Sequence, residues 1–338
     1  MVLKNIGIDL GTSNTIIYAK NRGIILREPT AVAFECESGD VIAAGARAKR
    51  MLDRVPQDKE VVLPLQRGVV SHFDDAVEMM LSFFDKLGIR GMFGHPNVAV
   101  SIPWGVTEVE KNAFENLCYE AGAKHVYPVV DAPMAAALGA GIDILKAKGN
   151  LVVDIGAGST ESAIISYRGI VRASMVRSAG DSFDEAIITY IKNNYNTLIG
   201  RPTAEHLKKT RASAHPDFDS GEEEVRGKNL LTGQVSVVTI HSAEVRDAIY
   251  DELIHISDTI RQTLEGVPPE IASDIYDNGM ILMGGSALIL GIDKFFEEQL
   301  GMPVQIAKHP LECVARGLGK IVDRPGELAE VVSARRGI

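Results

Sequence analysis

Short apolar runs broken by Gly and Asn turns fill residues 6–34 and predict a three-strand meander. The same rhythm returns over residues 151–176. Between the two, Val77, Met80, Leu81 and Phe84 fall at helical spacing and predict a helix over 74–87. A buried strand is expected over 97–103, a helix over 107–121 and a strand over 125–130. Residues 133–141 form a helix so rich in Ala and Gly that another backbone can pack closely against it. Residues 35–66 are more polar, hold Gly39, Gly45, Pro56 and Pro64, and read as a small insert with a short helix over 43–54. After the second meander, helices are expected over 183–195, from 203, over 243–264 and over 311–322, with strands over 280–283 and 304–307. Residues 211–241 look polar and turn-rich, with an acidic run at 222–224.

The 338 residues suit about two domains. A 46% hydrophobic and 24% charged composition gives enough apolar material for a real core. The net charge of −10 argues against nucleic-acid binding and against a polybasic membrane anchor. Cys36, Cys118 and Cys313 are far apart and lack metal-ligand spacing, which suits reduced cytosolic thiols. Residues 1–10 lack the pattern of a signal peptide, and no apolar run reaches bilayer length.

Two segments share one grammar. Asp9, Gly11, Thr12, Ser13 and Asn14 follow an apolar strand near the start; Asp154, Gly156, Ala157, Gly158, Ser159 and Thr160 follow another, with Asp154 lying 145 residues after Asp9. Each predicts a strand–turn–strand hairpin whose N–H groups and hydroxyls hold phosphate oxygens, while the Asp carboxylate holds a hydrated divalent cation. The repetition predicts a duplicated fold with a nucleotide between its halves. Gly284, Gly285 and Ser286 after an apolar strand suit a phosphate or an adenosine at a helix start. Asp131 either orients the attacking water for γ-phosphate hydrolysis or caps the helix that follows. Glu205 and Lys208 share one helix face and contact either a ribose or base, or only solvent. Met92 and Phe93 sit at a loop tip, where they form a partner or membrane surface or fold back into the core.

The Asp9 hairpin, residues 131–139, the Asp154 hairpin, residues 284–291 and residues 311–319 occur in the order of the actin superfamily's phosphate 1, connect 1, phosphate 2, adenosine and connect 2 segments. Within that superfamily the chain most closely resembles MreB and its Mbl-like paralogues, the bacterial actins, over essentially its whole length. The segments carrying Gly180, Asp181, Asp184, Arg201, Thr203, Pro268, Pro269, Cys313, Arg316 and Gly317 resemble the family as well. The resemblance implies an α/β, actin-like duplicated fold of the kind shared with sugar kinases and chaperone ATPases. Residues 1–34, 67–149 and 310–338 would form subdomain IA, 35–66 IB, 150–180 and 243–309 IIA, and 181–242 IIB.

The resemblance further implies ATP–Mg²⁺ (or GTP–Mg²⁺) binding with slow hydrolysis. Asp9 and Asp154 would hold the metal through water. Gly11, Thr12, Ser13, Asn14, Gly156, Ala157, Gly158, Ser159, Gly180, Glu205, Lys208, Gly284, Gly285 and Ser286 would hold the nucleotide, with Asp131 and Thr160 as the catalytic residues. It implies paired protofilaments of the chain itself on an anionic lipid surface, at the inner face of the cytoplasmic membrane, with Met92 and Phe93 as the lipid-inserting pair. Partners would resemble RodZ, MreC and MreD, with a role in cell shape through wall synthesis. The chain departs from the family at Asp131, where most members carry Glu, at Ala132, which replaces a second acidic residue, and at Ala157 and Ser286, which replace glycines. These departures leave a second reading, a nucleotide-binding scaffold without turnover. A small-molecule kinase of the same superfold is a third, and no dedicated substrate insert supports it.

Overall fold

The computed structural model describes residues 3–89, 95–326 and 328, so Met92 and Phe93 lie outside the described residues. In the first half, β1 (Asn5–Leu10) and β2 (Asn14–Ala19) pair antiparallel with Ile8 opposite Ile17, and β3 (Gly23–Pro29) completes the expected meander. The insert holds β4 (Val32–Glu35), β5 (Val41–Ala44), α1 (Ala46–Met51) and β6 (Lys59–Val62), followed by a hairpin of β7 (Leu65–Gln66) and β8 (Val69–Val70). Helix α1 is shorter than 43–54 because Val41–Ala44 pairs with β4 and Gly45, at φ +66°, ends the strand. Then come α2 (Phe73–Lys86), β9 (Asn97–Ile102), α3 (Glu108–Glu120), β10 (His125–Val126), β11 (Val130–Asp131) and α4 (Ala132–Ala140). The single strand expected over 125–130 is two short ones, since Pro128 has no N–H for the ladder. Thr107 and Glu110 form a capping box that starts α3.

The second half repeats the plan. Strands β12 (Asn150–Ile155), β13 (Thr160–Ser166) and β14 (Gly169–Val176) form the second meander, followed by α5 (Gly180–Tyr195), β15 (Thr197–Leu198) and α6 (Arg201–Arg211). The run over 211–241 contains β16 (Glu222–Asn229) and β17 (Val235–His241), two strands that its composition hides. They expose much of both faces, and only Val225 and Ile240 are buried, so no apolar alternation marks them. Next are α7 (Ser242–Leu264), α8 (Pro269–Asn278), β18 (Met280–Met283), a short 3₁₀ turn, α9 (Ile292–Leu300), β19 (Val304–Ile306) and α10 (Cys313–Asp323). The main sheets run β3-β2-β1-β9-β10 and β14-β13-β12-β18-β19: one order, written twice. In both, the strand that ends at the Asp is central and lies parallel to a later strand, β9 or β18.

Helices α4 and α10 join the halves. Their core takes Ala99 from β9, Val152 from β12, Ala135 from α4 and Leu318 from α10. The approach is backbone to backbone. A Cβ on Gly139 would overlap the Cys313 carbonyl, and one on Gly317 would overlap the Ala135 carbonyl. Substitution Gly317→Ala is therefore expected to push the helices apart at a cost of about 1–3 kcal/mol, read as a lower thermal midpoint. An unchanged midpoint would contradict this close crossing.

Candidate functional site

The two hairpin turns close in the same way. Gly11 N–H donates to the Asn14 carbonyl at 3.1 Å, and Gly156 N–H donates to the Ser159 carbonyl at 3.0 Å. Asp9 lies opposite Ile16 in its ladder, and Asp154 lies opposite Glu161 in the other. The first turn is braced by Gly68 N–H, which donates to Thr12 Oγ1 at 3.0 Å. The second is braced by the start of α5, with Gly180 N–H on the Gly156 carbonyl at 3.1 Å and Asp181 N–H on the Ala157 carbonyl at 2.8 Å. Ser286 Oγ also donates to the Gly156 carbonyl, at 3.2 Å. Only glycine fits at 284: φ is +88°, and a Cβ there would strike Asp154 Oδ1 and the Ile155 carbonyl.

A cavity of about 710 Å³ opens between the turns. Asp9, Gly11, Thr12, Ser13 and Asn14 line it from one half. Asp154, Gly156, Ala157, Gly158, Ser159, Gly180, Glu205, Lys208, Gly284, Gly285 and Ser286 line it from the other. All the residues expected to bind nucleotide or metal thus share one wall. The two candidate catalytic residues are off it, among the described residues. Thr160 is fully buried and donates from Oγ1 to the Ser178 carbonyl at 2.6 Å. Asp131 lies at the end of β11, paired with Ile102, and the cavity wall is formed by Ala132 instead. On the α6 side of the cavity, Lys208 Nζ reaches Asp184 Oδ1 at 2.8 Å and the Gly180 carbonyl at 2.6 Å. Glu205 is held by Lys49 and Lys209.

Among the wall residues that sequence reasoning missed are Arg27, Ser101 and Glu161. Glu161 carried a signal, being a carboxylate in an otherwise uncharged strand, two residues past the turn. One of its oxygens, Oε2, accepts from Trp104 N–H at 3.0 Å, across the two halves. Its partner in the duplication, 145 residues earlier, is Ile16.

The wall carries buried negative charge. Burial, and then the charge of Asp154, push Asp9 up to about 7 against a hydrogen bond from Ser101. Burial lifts Asp154 to about 6. Burial also lifts Glu161 to about 8, opposed by the Trp104 N–H and assisted by Asp154, Asp131 and Asp9. No cation is among the groups that shift these three carboxyls. Among the described residues no three His, Cys, Asp or Glu side chains converge as direct metal ligands. The donor set therefore fits a hard cation that keeps its water and shares phosphate oxygens, as Mg²⁺ does. Asp9 and Asp154 would hold it, and the Gly-rich turns would offer N–H groups to the anion.

Near pH 3 these three groups are largely protonated both folded and unfolded. As pH rises, the unfolded chain ionises first and the folded site resists. Stability of the nucleotide-free protein is expected to fall between about pH 4 and pH 8. The substitution Glu161→Gln keeps an acceptor for Trp104 and removes one titration. It should raise the thermal midpoint at pH 8 by about 2–4 °C for each kcal/mol recovered, and change little near pH 4. An equal or lower midpoint at pH 8 would contradict the charge balance described here.

The family described as MreB/Mbl protein matches residues 3–330. The chain is 40% identical to the cell shape-determining protein Mbl of Bacillus subtilis over 328 residues, 97% of this chain and 98% of Mbl. It is 42% identical to the cell shape-determining protein MreB of Escherichia coli over 328 residues, 96% of this chain and 94% of that protein. The crystal structure of MreB5 of Spiroplasma citri bound to AMPPNP is 34% identical and superposes with a TM-score of 0.91, covering 96% of this chain and 97% of that one. The duplicated sheets, the facing turns and these likenesses agree: the chain has the actin-like fold and belongs to the MreB/Mbl family.

Proposed function

We propose that the chain is a nucleotide-dependent, filament-forming bacterial actin that binds ATP with Mg²⁺ and hydrolyses it slowly. The observation that carries this is the pair of like-closed turns facing one cavity, each rooted on a half-buried aspartate with raised proton affinity. A polyphosphate would take N–H donors from both turns, and Mg²⁺ would supply the positive charge that the aspartates lack and polarise the phosphate oxygens. The AMPPNP complex of the Spiroplasma citri relative supports a nucleotide in this cleft. Bound between the halves, the nucleotide would tie the Asp9 turn to the Asp154 turn and favour the closed arrangement. The subdomain boundaries set out from the sequence suit this division, with the cleft running between IA–IB and IIA–IIB.

Slow hydrolysis is proposed from the wall itself. Ala132 lines the cavity with a methyl group, and the neighbouring carboxylate, Asp131, is one methylene shorter than the Glu that most family members carry. The same observation favours the second reading, a scaffold that binds nucleotide without turning it over. Assembly would place copies of the chain in paired protofilaments at the inner membrane face. Among the described residues no helix is long and apolar enough to cross a membrane, so attachment would be peripheral, through Met92 and Phe93. Membrane proteins of the RodZ, MreC and MreD kind would couple it to wall synthesis.

Two measurements test this. Asp154→Ala should abolish Mg²⁺-dependent ATP binding and, with it, filaments in electron micrographs; normal binding would overturn the metal assignment. Ala132→Glu restores a carboxylate to the wall, at a helix start that favours negative charge. Phosphate release should then rise at least tenfold, toward the roughly 10²–10⁴-fold that a well-placed base supplies. No rise would place the limit on turnover elsewhere.

A further inference from the structure

The two jaws of the cleft are bridged by an ion pair. Lys49, in the last turn of α1, reaches Glu205 in α6, with Nζ 2.9 Å from Oε2 and 3.0 Å from Oε1. The residues are 156 apart in sequence and come from the two opposed small sheets' neighbourhoods, one beside β4–β6 and the other beside β15–β17. Their side chains are 31% and 20% exposed, so water screens the pair less than an ordinary surface bridge. The cation also suits its helix, lying in the last turn of α1. Burial raises the pKa of Glu205, but hydrogen bonds from Lys209 and Lys49 outweigh it and bring the carboxyl to about 2.

The place of the pair decides its meaning. Glu205 lines both the 710 Å³ cavity and a second one of about 410 Å³ that opens between the jaws, and Lys49 lines only the second. The bridge therefore stands where the two cavities meet. Opening the jaws must break it, and a nucleoside in the larger cavity must pass a wall that it holds. Lys209, one turn along α6, also holds Glu205 Oε1 at 2.6 Å, so the carboxylate keeps a partner when Lys49 is removed. What is lost is only the tie across the cleft.

We propose that Lys49 is a positioning residue for the nucleotide: by clamping Glu205 from the opposite jaw, it keeps the cleft closed and slows nucleotide escape. This rests on the reading of the large cavity as the nucleotide site. The test is a double-mutant cycle on the dissociation rate of a fluorescent ATP analogue with Mg²⁺, in the wild type, Lys49→Ala, Lys49→Arg, Glu205→Gln and Lys49→Ala/Glu205→Gln. Lys49→Ala should release the analogue about tenfold faster, equivalent to about 1.4 kcal/mol. Lys49→Arg should stay near the wild-type rate, and Lys49→Ala should add little on top of Glu205→Gln. A wild-type rate in Lys49→Ala, or a full tenfold effect persisting in the Glu205→Gln background, would overturn the proposal. Hydrogen exchange of the nucleotide-free protein separates the two readings. Faster exchange in α1 and α6 together in Lys49→Ala supports the clamp whether or not the analogue binds, and unchanged exchange in both contradicts it. Failure of the wild type to bind the analogue would instead overturn the nucleotide reading.

Discussion

The arrangement of this protein turns on burying carboxylates at the junction of its two halves. Asp9 and Asp154 end central strands, and Glu161 stands across the ladder from Asp154, all within one wall. Burial of carboxylates without a countercharge costs free energy, and the raised proton affinities of all three measure that cost. A chain that needed only stability would fill these positions with apolar residues, as it does at Ile16, the duplicate of Glu161. A carboxyl on one side of the duplication and an aliphatic group on the other give the cavity an asymmetry that the proposed cation–polyphosphate site would use.

Everything around the wall serves to hold two halves at a fixed but adjustable distance. The sheets bring the turns face to face because each Asp-bearing strand is central in its own sheet. The small-residue faces of α4 and α10 bring the two backbones into direct contact at the junction. At the jaws, α1 and α6 meet through Lys49 and Glu205. Contacts at the floor, the turns and the rim are thus three separate layers between the same two bodies. A ligand that binds both turns acts on all three.

Much of this was legible in the sequence. The duplicated Asp–Gly grammar gave away the fold and the residues of the wall, since Gly and Asp have conformational and electrostatic jobs few other residues perform. The small-residue pattern of α4 announced its close packing. Other features were hidden for physical reasons. Strands β16 and β17 expose most of their side chains, so they lack the alternation that a half-buried strand shows. Helix α1 is curtailed by the pairing of β5, a non-local contact. Thr160 sits at a sequence position next to the wall, and only the pleat and the register decide which neighbour faces in: Glu161 rather than Thr160. A one-residue shift reverses a side chain's direction in a strand, and no motif resolves that.

The central claim is that the buried carboxylates exist to receive a cation with its nucleotide. Titration calorimetry of ATP into the protein near pH 7, with and without Mg²⁺, in buffers of different ionisation enthalpy, tests it most directly. The account predicts binding that requires Mg²⁺ and releases protons as the aspartates ionise, with less release in Asp9→Asn. Equal affinity without Mg²⁺, or binding with no proton release, would contradict it.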